Sequence, residues 1–362
     1  MRVSPGAALA AGFMALAVIP ALSALGFSGA AGASPNWDYL LRAARFTLFQ
    51  AGLSTLISAG LAVPVALILA RRHFWGRRLL LQLFAVPQSL PPLVAVLGLL
   101  ALFGQAGIIP GMPSIYGLSG ILLAHVFFNL PFAVRLLVGA LETIPGESWR
   151  LAAQLGMGRR AMFRLIERPV IVQALPGIAG LIFMLCVTSF TIVLTLGGGP
   201  RAATLEVAIY QALRFDYEPR LALMLVVAQL ALCAGLMAFG ARFAAPMAVN
   251  AGMGVARERP RAGGVLDVPL LMFAGLFVAA PLLAVAISGT EADLGKLLAD
   301  GRTWQAVVTS ALVATAAGTL SLLLAFPLAH MAARGSKAFA LAGQLPLLIP
   351  PVVRGAGWFL LA

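Results

Sequence analysis

Long runs without Asp, Glu, Lys or Arg dominate the pattern of polar and apolar positions along this chain. A helix crosses a bilayer with about 20 apolar residues. Seven runs reach that length, at 3–37, 46–70, 79–134, 169–200, 221–241, 268–290 and 303–333. The longest, 79–134, contains a Gly- and Pro-rich segment at 104–117, so it predicts two helices joined by an uncharged turn. A ninth span is predicted to begin near Ala338, and the chain is therefore predicted to be an all-α polytopic membrane protein.

The composition excludes the soluble classes of protein. Hydrophobic residues make up 61% of the 362 residues and charged residues 10%, whereas an ordinary soluble domain is about one quarter charged. Intrinsic disorder needs the opposite composition. The two cysteines, Cys186 and Cys233, lie inside apolar runs and are predicted to be small buried residues. They support neither a disulfide framework nor a metal motif, and no catalytic residue or cofactor is predicted.

The net charge of +13 comes from short basic clusters between the apolar runs, a pattern typical of membrane topology and not of nucleic-acid binding. Of the 25 Lys and Arg residues, 16 lie in one set of loops and 7 in the alternate set. This bias predicts a multi-pass membrane protein with a cytoplasmic N-terminus. The first run, 3–37, is predicted to be a retained helix, with a signal peptide as the alternative.

An internal repeat divides the chain. Three prolines recur with an offset of 259, and a Pro and an Arg upstream recur with an offset of 263; the pairs are Pro87/Pro346, Pro91/Pro350, Pro92/Pro351, Pro64/Pro327 and Arg71/Arg334. Both copies run in the same direction, so the repeat is parallel. We predict an N-terminal transmembrane helix at 1–35, a first repeat domain at 36–245, a cytoplasmic linker, transmembrane helix and external loop at 246–302, and the start of a second domain at 303–362. The second copy stops inside a helix, so the chain is expected to be a truncated product.

Polar groups inside the predicted spans are few. None is a carboxylate, which argues against an ion-coupled transporter. His125 and Asn129 share a helix face, and either an interhelical hydrogen bond or contact with a permeant molecule explains them. Arg354 lies deep in the ninth span, where it lines a pathway or pairs with a partner. Thr188, Ser189 and Thr191 are further pathway candidates, although such hydroxyls also bond within their own helix.

The loop 141–169 is the longest charged segment on the predicted cytoplasmic side. Its apolar residues lie near helical spacing and are interrupted by glycines; they are Leu151, Leu155, Met162 and Leu165. This pattern predicts a short helix, a turn at Gly156 and Gly158, and a second helix that ends at Pro169. Such a helix either fills a groove on a partner protein or lies at the membrane interface.

This loop resembles the coupling motif of ATP-binding-cassette importer permeases, which is Glu-Ala-Ala, three residues, Gly, nine residues, Ile, any residue, Leu-Pro. Four positions match, at Ala152, Gly156, Ile166 and Pro169, and three depart, at Arg150, Leu151 and Arg168. Over roughly residues 36–240 the chain resembles more closely the thiamine importer permeases, which fuse two halves in one chain. The strings that carry this resemblance are YGLSGILLAHVFFNLPFAVRLL, ALETIPGESWRLAAQLGM, LIFMLCVTSF, LTLGGGP and EVAIYQALRFDYEP.

The resemblance implies a MetI-like helical bundle in the bacterial inner membrane, with one complete half and the start of a second. It also implies two kinds of partner protein in addition to the lipid bilayer: a cytoplasmic ATPase dimer and a periplasmic thiamine-binding protein. The docking helix is then 147–155, with Gly156 following it in a turn where a Cβ would clash, and the outer loop 197–220 contacts the binding protein. The coupling residues are Glu147, Arg150, Leu151, Ala152, Ala153, Leu155, Gly156, Ile166 and Pro169.

The function expected is import of thiamine or its phosphates, with ATP hydrolysed by the partner and not by this chain. The alternatives are the same importer class with iron(III), polyamine or oxyanion cargo, and a secondary transporter. Because the second coupling helix lies beyond residue 362 in this interpretation, the 362-residue form is expected not to transport alone.

Overall fold

The structure is a computed structural model. It describes residues 5–28, 37–72, 74–105, 107–109, 115–199, 202–243, 265–290, 293–336, 338–339, 342–343 and 351–361. Regular secondary structure in these residues is entirely helical, which confirms the all-α prediction. Six helices are long and apolar enough to cross a membrane, and a bent pair of shorter helices is a seventh candidate among the described residues. The first predicted span forms a helix, and of the ninth the structure describes residues 338–339, 342–343 and 351–361.

The helices fall into two compact units. The large unit contains residues 42–204 and 235–286, and the small unit contains residues 1–41, 205–234 and 287–362. In chain order the helices are α1 (Pro5–Ser28), α2 (Trp37–Arg71), α3 (Arg77–Leu83), α4 (Val86–Ser89), α5 (Pro92–Phe103), α6 (Leu118–Glu142), α7 (Gly146–Gln154), α8 (Arg159–Met162), a π-helical segment (Phe163–Glu167), α9 (Arg168–Val187), α10 (Phe190–Leu196), α11 (Leu205–Arg214), α12 (Pro219–Phe243), α13 (Asp267–Thr290), α14 (Leu294–Ala299), α15 (Gly301–Ala333) and α16 (Pro351–Leu361). The predicted domain boundaries stay a prediction.

Helix α6 is the centre of the large unit. It packs against α9, α10, α4 and α5, and it supplies the fully buried side chains of Ile121, Phe127 and Leu137. Helix α9 supplies Ile178 and Ile182 to the same core. In a bilayer, lipid tails are as apolar as leucine, so close packing between helices, and not removal from water, holds this core together.

The predicted helix at the start of the run 79–134 is broken. The segment Arg77–Ser89 and helix α5 meet at an angle of 110°. Leu90 and Pro91 have extended ψ values of 143° and 133°, because a following proline excludes the helical conformation at each of them. The expectation of one continuous helix before the turn is therefore wrong, while the predicted turn is present between the end of α5 and the start of α6.

The described parts of the two repeat copies have the same local structure. Helix α2 has 35 residues and contains Pro64, and α15 has 33 residues and contains Pro327. Helix α5 begins at Pro92, and α16 begins at Pro351. The prolines therefore have the same local roles in both copies, whereas Pro346 and Pro350 lie outside the described residues.

In the small unit, α1 packs against α15 and α16, and α16 also packs against α11. The side chain of Asp293 caps α14 by accepting a hydrogen bond from the backbone N–H of Lys296 at 3.0 Å. Tyr39 donates a hydrogen bond of 3.5 Å to Gln211 of α11. The Tyr39–Gln211 contact ties the start of α2 to α11 within the unit.

Gly98 of α5 permits a close approach to α13, and this contact yields a first prediction. A Cβ on Gly98 would overlap the carbonyl oxygen of Pro281 and lie 3.0 Å from Val285. We expect Gly98→Ala to lower the free energy of unfolding by about 1–3 kcal/mol, measured by thermal unfolding in detergent. The control is Gly139→Ala in α6, where no atom lies within 4 Å of the added Cβ. Gly139→Ala should raise the free energy of unfolding by up to about 1 kcal/mol. Equal effects of the two substitutions would refute the steric explanation.

Candidate functional site

Helix α7 lies within the loop 141–169 and has two different faces. Trp149 and Ala152 are buried, whereas Leu151 and Leu155 are 56% and 68% exposed. Glu147 occupies the first turn, where a carboxylate stabilises a helix through its dipole. The helix begins one residue before the predicted start and ends one residue before the predicted end. One face anchors the helix to the protein, and the other presents leucines outward.

A Schellman motif ends α7. The N–H of Met157 donates to the carbonyl of Ala152 at 2.9 Å, and the N–H of Gly156 donates to that of Ala153 at 3.1 Å. Gly156 has φ +60°, a left-handed conformation that favours glycine. No atom lies within 4 Å of a Cβ built on Gly156, so the expected clash is wrong: backbone conformation, and not space, requires glycine here. Gly158 has an extended conformation with φ −67°, which any residue adopts.

The helix after this turn does not end at Pro169 as predicted. Helical structure runs from Arg159 to Val187 through α8, the π segment and α9. The π segment ends two residues before Pro169, whose missing N–H leaves the carbonyl of Leu165 without its α-helical donor. A local change of helical spacing thus lets the chain pass Pro169 without ending the helix. Leu165 is 64% exposed and adds to the outward apolar surface.

The other predicted coupling residues lie around this surface. Arg150 and Ala153 are exposed on α7, and Ile166 in the π segment is partly exposed. Arg150, which stands where the motif has Glu, makes no ion pair among the described residues. The exposed apolar residues of this segment therefore include Leu151, Leu155 and Leu165, and a docking role for them stays a prediction.

Glu167 fastens the π segment to the end of α2. It is 1% exposed, and both of its carboxylate oxygens accept hydrogen bonds from Arg71, with the Nε–Oε1 distance at 2.7 Å. Such a bidentate pair fixes geometry as well as charge. The sequence analysis used Arg71 only as a position of the internal repeat and did not single out Glu167, although Glu167 is the one acidic residue between 150 and 168.

Two further carboxylates hold arginines at the same end of the large unit. Asp267, at the start of α13, lies 2.9 Å from Nε of Arg72 and 3.5 Å from Nη2 of Arg159. Arg77 donates to Glu142, at the end of α6, at 2.8 Å and to the carbonyl of Leu69 at 2.8 Å. The Arg71–Glu167 and Arg159–Asp267 pairs connect the segment that follows α7 to helices α2 and α13, and the Arg77–Glu142 pair connects α3 to α6.

A polar stripe on α2 faces the interior of the large unit. Thr47, Gln50, Ser54 and Ser58 follow helical spacing, and all four are fully buried. Gln50 donates a hydrogen bond of 2.9 Å to the carbonyl oxygen of Cys186 in α9. The sequence analysis missed this stripe, although its spacing of three and four residues within an apolar run was a usable signal.

His125 and Asn129 join this stripe. Nδ1 of His125 lies 3.0 Å from Oγ of Ser54, and Nδ2 of Asn129 donates to Sγ of Cys186 at 3.2 Å. Both side chains are buried at 2% and 3% exposure, so they form the interhelical hydrogen bonds that one of the two interpretations expected. The burial of Cys186 and of Cys233 was predicted correctly.

The remaining pathway candidates are divided between the units. In the large unit, Thr188 and Ser189 lie where α9 gives way to α10, and Thr188 bonds back to the carbonyl of Met184 at 2.9 Å. Thr191 is partly exposed on α10. In the small unit, Arg354 is half-buried on α16, and its Nε has no hydrogen-bond partner among the described residues. Their role in a pathway stays a prediction.

The predicted outer loop 197–220 contains a buried helix, which the sequence analysis did not expect. Helix α11 buries most of its length, including Glu206 at 0% exposure. Burial raises the pKa of the Glu206 carboxyl to about 8. Two acidic residues of the same loop, Asp216 and Glu218, follow α11 and are exposed. An acidic residue in the pattern LEVAIYQAL was the available signal for a functional group here.

Comparison with known proteins identifies the family to which this chain is similar. The model of the family described as "Binding-protein-dependent transport system inner membrane component" matches residues 62–249. A thiamine transport system permease protein of Brucella abortus (strain 2308) is 46% identical over 99% of this chain and 70% of its own length. Proteins with the same description from Escherichia coli (strain K12) and Salmonella typhimurium (strain LT2) are 42% and 41% identical, over 90% and 97% of this chain and 64% and 70% of their own lengths.

Proposed function

Because this chain belongs to the family of inner-membrane components of binding-protein-dependent transport systems, we propose that it carries thiamine, or thiamine phosphates, from the periplasm to the cytoplasm. It does so as the permease of an importer whose separate ATPase docks on the loop 141–169. A periplasmic thiamine-binding protein delivers the cargo. The N-terminus and the arginine-rich end of the large unit, with α7, then face the cytoplasm.

The two faces of α7 are the observation that carries the coupling role. Exposed leucines on a helix outside the membrane are unfavourable in water, and a groove on a partner protein relieves that exposure. Leu151 and Leu155 supply such a surface, and the buried Trp149 and Ala152 hold the helix in place. The Schellman motif at Gly156 fixes the direction of the chain that leaves the helix.

The ion pairs explain how movement of α7 reaches the membrane helices. A docked ATPase that closes on ATP displaces α7, and the segment that follows α7 is tied to α2 by Arg71–Glu167 and to α13 by Arg159–Asp267. Rigid connections of this kind transmit displacement, whereas a flexible linker absorbs it. The coupling role therefore requires both the outward leucines and the ion-paired base.

The cargo rests on the relatives, whose names specify thiamine transport. Uptake of labelled thiamine in cells that cannot synthesise it, with and without the gene for this chain, tests this assignment. Gene-dependent uptake that excess iron(III) or polyamine does not reduce supports thiamine. Normal thiamine uptake without the gene, in cells with no other importer, would contradict it and turn attention to iron(III) and polyamine.

Polar substitution of the outward leucines separates docking from folding. We expect Leu151→Ser with Leu155→Ser to weaken ATPase binding at least about tenfold, since each exposed side chain supplies about 1 kcal/mol or more of apolar contact. The melting temperature should change little because both side chains are exposed. Trp149→Ser on the buried face is the comparison and should lower the melting temperature. ATPase binding that is unaffected by the double change would argue for an interfacial linker instead.

A further inference from the structure

A groove lies between α3 and α13 at the arginine-rich end of the large unit. Its volume is about 540 Å³, which falls within the range of about 300–1,000 Å³ typical of ligand pockets. Apolar side chains line both of its walls: Phe74, Leu80, Leu83, Met272, Leu276 and Ala279. Phe74, Met272 and Leu276 are exposed, so the groove is open along one side. It therefore offers an accessible apolar channel, here named the α3–α13 groove.

The length of the α3–α13 groove matches one leaflet of a bilayer. Its residues on α13 run from Val268 to Ala279, which corresponds to about 16 Å along a helix. The hydrocarbon core of a bilayer is about 30 Å thick, so this length is about half of it. Trp75 follows Phe74 at the arginine end and is 96% exposed, and an exposed tryptophan is typical of the headgroup level. The groove thus extends from the headgroup level into the hydrocarbon, as the acyl chain of a lipid does.

The mouth of the groove carries a positive charge. Arg72 lines the groove and pairs with Asp267 at 2.9 Å, and Arg159 pairs with the same carboxylate at 3.5 Å. In these ion pairs of the described residues, two guanidinium groups share one negative charge. The side chain of Arg159 is 45% exposed, so a ligand can reach it. A phosphate group fits this position because its oxygens accept charge-assisted hydrogen bonds from guanidinium groups.

We propose that the α3–α13 groove binds one anionic phospholipid, with an acyl chain between the two helices and the phosphate at Arg72 and Arg159. The apolar lining alone suits any lipid. The arginine pair selects the headgroup, because an anionic headgroup balances the second arginine, whereas a zwitterionic headgroup brings a cation of its own. Basic pockets between membrane helices bind anionic headgroups in this way. The inference goes beyond the proposed function and depends on neither the cargo nor the ATPase.

Two probes separate this occupant from its competitors. Phosphatidylcholine has the same acyl chains as phosphatidylglycerol but a zwitterionic headgroup, so it measures ordinary lipid contact. Glycerol 3-phosphate has a phosphate without acyl chains, so it measures binding of a small anion at the arginines. Native mass spectrometry of the protein expressed from its gene and purified in detergent counts the bound lipids. We expect phosphatidylglycerol to bind about fivefold more tightly than phosphatidylcholine, and glycerol 3-phosphate not to displace it.

Removing the charge of Arg159 tests the headgroup contact. Arg159→Gln leaves Asp267 paired with Arg72, so the protein should remain folded. We expect this change to weaken phosphatidylglycerol binding about fivefold and to leave phosphatidylcholine binding unchanged. The matched control is Arg160→Gln, which removes the same charge from the next residue, also exposed, and should leave both affinities unchanged.

Filling the far end of the groove tests the acyl contact. Ala279→Phe places a large side chain among the lining residues and should weaken the binding of both lipids. Its control is Ala280→Phe, at a neighbouring and also partly exposed alanine that is not among the lining residues. Thermal unfolding in detergent shows whether each variant is folded.

Four results would overturn the proposal. Equal affinities for phosphatidylglycerol and phosphatidylcholine in the unchanged protein would mean that the arginines select no headgroup. Equal phosphatidylglycerol affinities of Arg159→Gln and Arg160→Gln would mean the same for Arg159. Displacement of phosphatidylglycerol by glycerol 3-phosphate would show a small-anion site without an acyl groove. Equal effects of Ala279→Phe and Ala280→Phe in folded protein would show that no acyl chain occupies the groove.

Discussion

Replacing Gly156 with valine is expected to reduce ATP-driven uptake about tenfold or more in cells that carry the altered gene. Gly156 has φ +60°, a region that a β-branched residue reaches only with strain, and it provides the C′ position of the Schellman motif after α7. Relief of that strain redirects the chain that follows and misplaces Leu151 and Leu155. The measurement is uptake of labelled thiamine at matched amounts of protein in the membrane.

Gly158→Val is the matched control because it places the same side chain two residues away. Gly158 has an extended conformation with φ −67°, and no atom lies within 4 Å of an added Cβ at either glycine. Uptake should therefore remain close to that of the unchanged protein. Equal losses from the two changes would mean that bulk, and not backbone conformation, is what this turn excludes.

Glu167→Gln is expected to lower the free energy of unfolding by about 3–5 kcal/mol, because it leaves the largely buried guanidinium of Arg71 without its counter-charge. Uptake should fall as well, since Glu167 ties the segment after α7 to the end of α2. Thermal unfolding in detergent measures the first effect, and uptake at matched protein amounts measures the second.

The comparison for this prediction is Glu142→Gln, which breaks the pair with Arg77. Glu142 is 43% exposed at its side chain, so water compensates for the lost contact and the cost should be below about 1 kcal/mol. The double change Arg71→Met with Glu167→Leu should recover most of the stability, because no buried charge remains unpaired. Similar costs for the two single changes would show that burial does not determine the strength of these pairs.

Local sequence patterns predicted much of this protein. Charge-free runs predicted the helices, and the spacing around Gly156 predicted a helix and a glycine turn because both depend on neighbouring residues. The break at Pro91 and Pro92 was also encoded locally, yet hydropathy alone concealed it. At Pro169 the opposite error occurred: the sequence predicted the end of a helix, whereas a π segment lets the helix continue past this proline.

Contacts between distant segments of the chain could not be predicted from the sequence. Arg71 and Glu167 are 96 residues apart, and Ser54 and His125 are 71 apart. Each residue has an ordinary local context, so neither pair follows from periodicity. Glu206 was overlooked for a related reason: α11 is too short to cross a membrane, and its burial depends on the helices that pack around it.

Reconstituted uptake tests the central claim most directly. Proteoliposomes would contain the protein expressed from its gene together with its ATPase, with the thiamine-binding protein and labelled thiamine on the opposite side from ATP. We predict thiamine accumulation that requires ATP on the α7 side and persists after ionophores collapse the ion gradients. Accumulation that an ion gradient drives without ATP, or that does not need the ATPase, would contradict the account.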